Sequence, residues 1–467
     1  MAITRRQFLK RTGAVAAGTL LGPGLWSNPF VRQAFAAIGN RYFIVIFLDG
    51  GNDSLNTVVP VSGALRPAYE AARNPGNGGL RILPADLAGT LIGVDANSGT
   101  QLALHPGLIG LKHLYDLGKV AVIQGCGYPS YSLSHEESRG IWQTANPLGL
   151  GAFAGTGWMG RFLASGYGSL DIPGVTLGES VAPEYRQTAT SVLALTRLAE
   201  FGFPYDDFAS DDVAAKRAAF ASLCSAAGSN AQASLAYIGD SASATLVSSE
   251  SYPPLDALYE ADRSSFDAQY AALESGTARR LREIAKIIYG VQTAQQNVNA
   301  RFFQLSNNGY DTHSDQGAAE PDGQHYLLHR EVGDALEVFY ADCADMGVAD
   351  KVCVLVWSEF ARRIEQNHSG TDHGSQGAML AIGAVNGGVY GNHPDIAAAS
   401  LDDSGNTVYT QAAAAPHRST DFRDVYGTVL KHWLGMDAAT IGATVLPSDV
   451  GSPPDYWTTP NFDLGFL

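Results

Sequence analysis

Thr371-Asp372-His373-Gly374 puts a carboxylate and an imidazole on neighbouring residues, just ahead of the apolar run 378–384. Similar groups recur elsewhere. Asp49, Asn52, Asp53 and Ser54 follow the apolar run 42–48, and Asp311 and His313 follow RFFQL at 301–305. Ser358, Glu359, Arg362 and Arg363 follow VCVLVW at 352–357. Carboxylates and histidines without cysteine ligands suit hard or borderline divalent ions: Zn, Mn, Mg or Ca. One ion would act as a Lewis acid. Two ions about 4 Å apart would stabilise an in-line displacement at phosphorus or sulfur.

Each group also has a plainer reading. Gly and Asn/Asp tolerate left-handed turns, so GGND at 50–53 can serve only to reverse the chain. Asp311 can cap a turn, and His313 can be a surface histidine. Ser134, beside His135, is a candidate nucleophile. It also opens an S-x-x-E capping box with Glu137, in which it would cap a helix starting at His135. Arg362 and Arg363 could grip the outer oxygens of a phosphate or sulfate, or line a helix face. Cys126-Gly127-Tyr128-Pro129-Ser130 resembles the sulfatase motif Cys-x-Pro-Ser-Arg, with one residue too many and no following arginine. That spacing disfavours formylglycine and sulfatase chemistry. His105 in LHPG is read as fixing a turn, and His325, His329 and His432 as packing or surface residues.

The elements that would position these groups are legible as alternating patterns. Long apolar runs at 42–53, 119–128, 300–313, 351–360 and 378–384 read as strands covered on both faces. Helical spacing lies between them, at 277–293, 325–345 and 421–435. The alternation predicts an α/β fold with a doubly wound, mostly parallel sheet. In such sheets, ligands bind beyond the carboxyl ends of the strands, where the polar groups cluster. Residues from about 190 to 295 are rich in Ala, Ser, Asp and Glu and read as a helical insertion, with SESYPPLDALYE a loop between helices.

The first 37 residues read as a twin-arginine export signal. Arg5 and Arg6 precede Phe8-Leu9-Lys10, a weakly apolar Ala/Gly stretch follows, and Ala34-Phe35-Ala36 forms a cleavage site. The stretch falls short of the roughly 20 residues that span a bilayer, so no stable membrane span is expected after cleavage. This predicts a periplasmic or extracellular protein, residues 38–467, delivered folded by the twin-arginine machinery. Removing the five basic residues of the signal leaves 25 basic against 46 acidic residues, a net charge of −21. Such a surface repels nucleic acid, and an anionic ester substrate needs a local metal or arginine to approach it. The four cysteines form no CxxC pair, which argues against a zinc knuckle. Cys353 reads as a buried apolar residue, and export leaves room for a disulfide.

FLDGGNDSLNTVVP, LHPGL, SLSHEES, GWMGRF, GYDTHSDQ, WSEFARR, GTDHGSQGAML and STDFRDVY together resemble the domain-of-unknown-function 1501 family of exported bacterial proteins. They span most of residues 40–430. TDHG and the early strand ending in Asp are also similar to the alkaline phosphatase and sulfatase superfamily. The latter resemblance implies a metal-dependent hydrolase of phosphate or sulfate esters on an alkaline-phosphatase-like fold. In it, Asp372 and His373 match a metal-binding Asp-His pair. Asp49 or Asp53 matches the first-strand metal aspartate, Asp53 being preferred. Asp311 and His313 match a later acid-histidine site, though more tightly spaced than Asp-x-x-x-His. His417 and Asp421 in PHRSTDFRD are late metal candidates only by what this resemblance implies, since the superfamily often places a final metal histidine there. Ser134, His135 and Arg362 are the catalytic candidates. The alternative is a non-catalytic envelope protein of the same fold that binds glycans or another exported protein.

Overall fold

The computed structural model describes residues 41–467, except 75–77, 167–171, 188–189, 204–211, 402–406, 411–417 and 450–456. The export signal lies outside the described residues. The central sheet has nine strands. In chain order they are β1 (Tyr42–Asp49), β2 (Val120–Gly127), β3 (Gly174–Leu177), β4 (Val192–Leu195) and β5 (Phe302–Asn308). Then come β6 (Val352–Trp357), β7 (Gly377–Gly383), β8 (Gly388–Tyr390) and β9 (Thr420–Asp421). Across the sheet the order is β8-β2-β7-β6-β1-β5-β3-β4, with β9 also on β2. Only β7 runs against its neighbours; the other pairings are parallel.

β1 shows why the sheet sits between two layers. Its run YFIVIFLD is apolar at successive positions, so both faces need cover. Tyr42, Ile44, Ile46 and Leu48 enter one core. There they meet α1 (Ile109–Asp116), α4 (Gly276–Gln292) and α5 (Gln324–Asp345) through Leu111, Ile284 and Leu336. Phe43, Val45 and Phe47 enter the other core, with α2 (His135–Thr144), α3 (Trp158–Gly166) and α6 (Phe422–Thr428), through Trp142, Phe162 and Tyr426. The protein is therefore an α/β fold wound on both faces of a mostly parallel sheet.

Residues 190–295 begin with β4 at the sheet edge, and the first α-helix among the described residues there is Val213–Gly228. SESYPPLDALYE is mostly helical, contrary to the loop expectation. The helix Ala233–Ser251 ends within it and Pro254 opens the next. A proline in the first turn needs no backbone N–H partner, so the Pro-Pro pair starts a helix here. The four cysteines are free and buried. Among the described residues no helix is long and apolar enough to cross a membrane.

Strand direction sets the site. β5 and β6 flank β1 in parallel, Asp49 lying opposite Asn308 and Phe47 opposite Trp357. The loops leaving β1, β5 and β6 thus emerge at one edge. β7 is reversed, so the chain entering it from His373 starts at that same edge. Gly377 pairs with Cys126 near the end of β2, which leads on to His135. Gly50 and Gly51 take φ of 126° and 76°, and a Cβ on Gly50 would stand 2.3 Å from the Asp311 nitrogen. Only glycine permits this approach between the β1 and β5 loops.

Candidate metal centre

Four side chains from three segments meet at this edge. Asp311 comes from the loop after β5, with His313 two residues on. His373 lies in a short antiparallel pairing, Ala361–Arg362 with His373–Gly374. His135 is the first residue of α2. Asp311 Oδ1 lies 3.0 Å from His313 Nε2, 3.4 Å from His373 Nε2 and 3.5 Å from His135 Nε2. His313 Nε2 and His373 Nε2 are 2.9 Å apart. His135, Asp311 and His373 each offer one ligand atom, all within 4.8 Å of one another. The described residues hold one such gathering, not two.

The far side of each ring decides what the near side presents. His135 Nδ1 meets Glu359 Oε1 at 2.8 Å. His373 Nδ1 meets the Leu133 carbonyl at 2.7 Å, and His313 Nδ1 meets Asp372 Oδ1 at 3.1 Å. All three partners are acceptors, so each Nδ1 carries the proton. In the neutral rings every Nε2 then aims a lone pair at the others and at the Asp311 carboxylate. This arrangement is repulsive without a cation. His135 Nε2 is buried and has no hydrogen-bond partner, its contact with Asp311 being too long for one. Bond lengths of a tetrahedral zinc site imply ligand-to-ligand edges of about 3.3 Å, and the separations of Asp311 from the three rings and of His313 from His373 lie around that value. Carboxylate and carbonyl partners behind ligating imidazoles are the usual support of a metal centre.

Glu359 anchors the assembly. It is fully buried. Its oxygens accept from Gly50 N–H at 3.0 Å, Gly51 N–H at 3.1 Å and Ser358 Oγ at 3.0 Å. The Glu359 hydrogen bond pushes His135 above the ordinary histidine value, outweighing burial. Burial pushes His373 down. Burial would raise Asp311, but the hydrogen bond and charge of Arg362 overcome it and hold the carboxyl below its usual range. In metal-free protein, the His135–Glu359 pair stabilises the fold below His135's unfolded pKa. That contribution is lost as pH rises through its higher folded value. We expect His135 to titrate above 6.5 by NMR, and Glu359→Gln to bring it down; an unchanged titration would exclude the pairing.

The remaining candidates divide. Asp372 backs His313 and is itself half exposed. Asp49 stands at the margin, 3.1 Å from Arg139 Nη1, its carboxyl raised first by burial and then by Glu359 and Asp311 against the pull of Arg139. Asp53 is not at the centre. It is buried against Arg73, with contacts of 2.9 and 3.0 Å, accepts from Gln316 Nε2 at 2.6 Å, and caps the turn at Asn56. The turn through Gly50 and Gly51 carries it to the N-cap of the short helix Ser54–Thr57, where Arg73 holds it. Arg362 is not an ester clamp either. It is fully buried, and its donors go to the carbonyls of Gly50, Gly51, Tyr310 and Thr371 and to Asp311. Its work is to pin the β1 turn and orient Asp311.

Ser134 does occupy the N-cap position, without a side-chain capping bond. The expected box is not formed, because Ser132 Oγ takes Glu137 at 2.8 Å. Cys126 is buried and its thiol pushed up by burial, which leaves it unreactive. His105 fixes its turn by accepting from Gly107 N–H, and packs edge-on against buried His325 and at a tilt against buried His329. Asp421 is engaged by Arg423 and Arg418, and His417 lies outside the described residues. Sequence reasoning left Glu359 without a role and passed over Arg139. The signals were Glu359's place at the end of β6 and Arg139's spacing of four from His135.

A family model described as "Protein of unknown function (DUF1501)" matches residues 96–444 of the 467. The chain belongs to the DUF1501 family. Within the matched span lie His135, Asp311, His313, Glu359 and His373, so the centre is part of the DUF1501 region; β1 precedes it. No curated protein matches the chain. Among solved structures, it is similar to a crystal structure of the PsFucS1 sulfatase from Pseudoalteromonas sp. at 10% identity. The match covers 93% of this chain and 77% of that one with a TM-score of 0.26.

Proposed function

We propose that this DUF1501 protein is an exported, metal-dependent hydrolase of an anionic phosphate or sulfate ester. The observation that carries the reading is the convergence of three Nε2 lone pairs on Asp311 Oδ1, each ring held from behind by an acceptor. His135, His313, His373 and Asp311 would hold one divalent ion. A set dominated by imidazole favours zinc over magnesium or calcium, which prefer all-oxygen sites. Bound there, the ion supplies Lewis acidity and lowers the pKa of water toward neutrality.

The chain's own residues supply the rest. Arg139 stands one helical turn beyond His135, on the same face of α2. Its Nη1 meets Asp49, while its Nε and Nη2 have no partner among the described residues, so they can take the outer oxygens of the ester. Asp49 keeps the guanidinium in place and, with its raised pKa, can accept a proton. Ser134 is exposed, and no base lies within hydrogen-bond reach of its hydroxyl among the described residues. The attacking oxygen is therefore water's.

The test uses the exported protein without its signal. Its metal content is measured, and it is assayed on chromogenic phosphate and sulfate esters. We expect about one zinc per chain and hydrolysis of one ester class. Ser134→Ala should keep at least half the activity, and Arg139→Ala should raise KM about 100-fold or more, the worth of two charged hydrogen bonds. Bound metal with no hydrolysis of either ester would turn the reading to a non-catalytic binding protein. Complete loss in Ser134→Ala would restore serine as nucleophile.

A further inference from the structure

The ligands come from loops far apart in the chain, and one buried amide joins two of them. Thr312 lies between Asp311 and His313, and Thr371 directly precedes Asp372 and His373. Both hydroxyls donate to the same atom, Gln316 Oε1, at 3.0 Å from Thr312 and 2.8 Å from Thr371. The other end of the amide, Nε2, donates to Asp53 Oδ2 at 2.6 Å, and Asp53 is clamped by Arg73. Gln316, Thr312, Thr371, Asp53 and Arg73 are all buried to within 1%.

The backbones are laced at the same place. Thr371 N–H donates to the Thr312 carbonyl at 3.0 Å, and Asn367 Nδ2 to the His313 carbonyl at 3.0 Å. Gln316 N–H donates to the Ser369 carbonyl at 2.9 Å. A Cβ on Gly370 would lie 2.3 Å from the His313 carbonyl carbon, so the loops touch. His135 belongs to a different segment and takes no part.

We infer that Gln316 is a positioning residue: it sets the gap between the Asp311–His313 loop and the Asp372–His373 loop, and so the affinity of the centre for its ion. The effect on affinity rests on the metal reading; the spacing of the loops does not. Both lone pairs of Oε1 are used, one by each loop, and the orientation of the amide is fixed because only its N–H side can face the Asp53 carboxylate. A burden shared this way couples the loops, since release of one threonine removes the side-chain tie and leaves the gap to the backbone bonds alone. A drift of a few tenths of an ångström is enough to matter at ligand bond lengths.

The test compares Thr371→Val, which keeps the volume and deletes the donor, with Thr371→Ser, which keeps the donor. Zinc dissociation constants are measured by chelator competition, and the histidine resonances of metal-free protein by NMR. Thr371→Val should weaken zinc about 10- to 100-fold, the range for removal of a group supporting a ligand. Thr371→Ser should recover most of it. In metal-free protein, Thr371→Val should shift His313 and His373 while leaving His135 in place. Thr312→Val should act the same way and provides a second reading if Thr371→Val folds poorly. Wild-type zinc affinity together with unmoved His313 and His373 resonances would overturn the inference. If the wild-type chain binds no zinc, the metal reading fails by itself, and the resonances of the metal-free variants still decide whether Gln316 spaces the loops.

Discussion

Asp311→Ala and His373→Ala should each weaken zinc binding more than about 100-fold, beyond the range seen when only a supporting group is lost. Ester hydrolysis should fall with it, by about 1000-fold or more, since the ion supplies both charge stabilisation and an activated water. Asp311 is the sharper of the two tests. It is the one carboxylate that all three Nε2 atoms approach, and Arg362 holds it ionised. Its side chain is half exposed, so truncation leaves no large buried cavity, and buried Arg362 keeps the carbonyls of Gly50, Gly51, Tyr310 and Thr371 as acceptors, so the fold should persist at some cost in stability. Glu359→Gln is the graded comparison. It keeps the shape but gives His135 Nδ1 a weaker acceptor, so zinc should weaken by about 10- to 100-fold while some binding survives. Elemental analysis of the purified variants and circular dichroism of their folds check all three. Wild-type zinc content in Asp311→Ala would remove the centre as described.

How much of this was legible beforehand can be seen residue by residue. The strands announced themselves, because runs such as FIVIFL and VCVLVW are too apolar to have a wet face. The ligand loops followed from the rule that polar groups cluster at strand ends. Reading Asp311, His313 and His373 as one set required only that the strands be neighbours, and the parallel flanking of β1 by β5 and β6 makes them so. The direction of side chains was not legible. Asp49 and Asp53 are four residues apart, but whether each faces the edge or the core depends on the turn through Gly50 and Gly51 and on a distant arginine, Arg73. Arg362 looked like an anion-binding residue because sequence shows a charge and not the carbonyls around it. His135 was read as a catalytic candidate beside Ser134. Its real surroundings, Glu359 behind and Asp311 in front, come from segments more than 170 residues away.

Asp53 offers the second large effect. Asp53→Ala should destabilise the protein by about 3–5 kcal/mol, the usual result of leaving one partner of a buried ion pair alone. Arg73 is fully buried and donates through two nitrogens to the two Asp53 oxygens, and the Gln316 amide also loses its acceptor. Arg73→Ala should cost a similar amount. The double variant should cost clearly less than the sum, because it no longer strands a charge. Chemical denaturation of the three variants measures this. At saturating zinc, Asp53→Ala should still bind one ion per chain, though less tightly because the brace through Gln316 has lost its anchor. That retained stoichiometry separates a residue beneath the centre from a ligand within it. If Asp53→Ala were instead stable but unable to bind zinc at any concentration, Asp53 would be a ligand after all, and the Arg73 pair would not be its resting place.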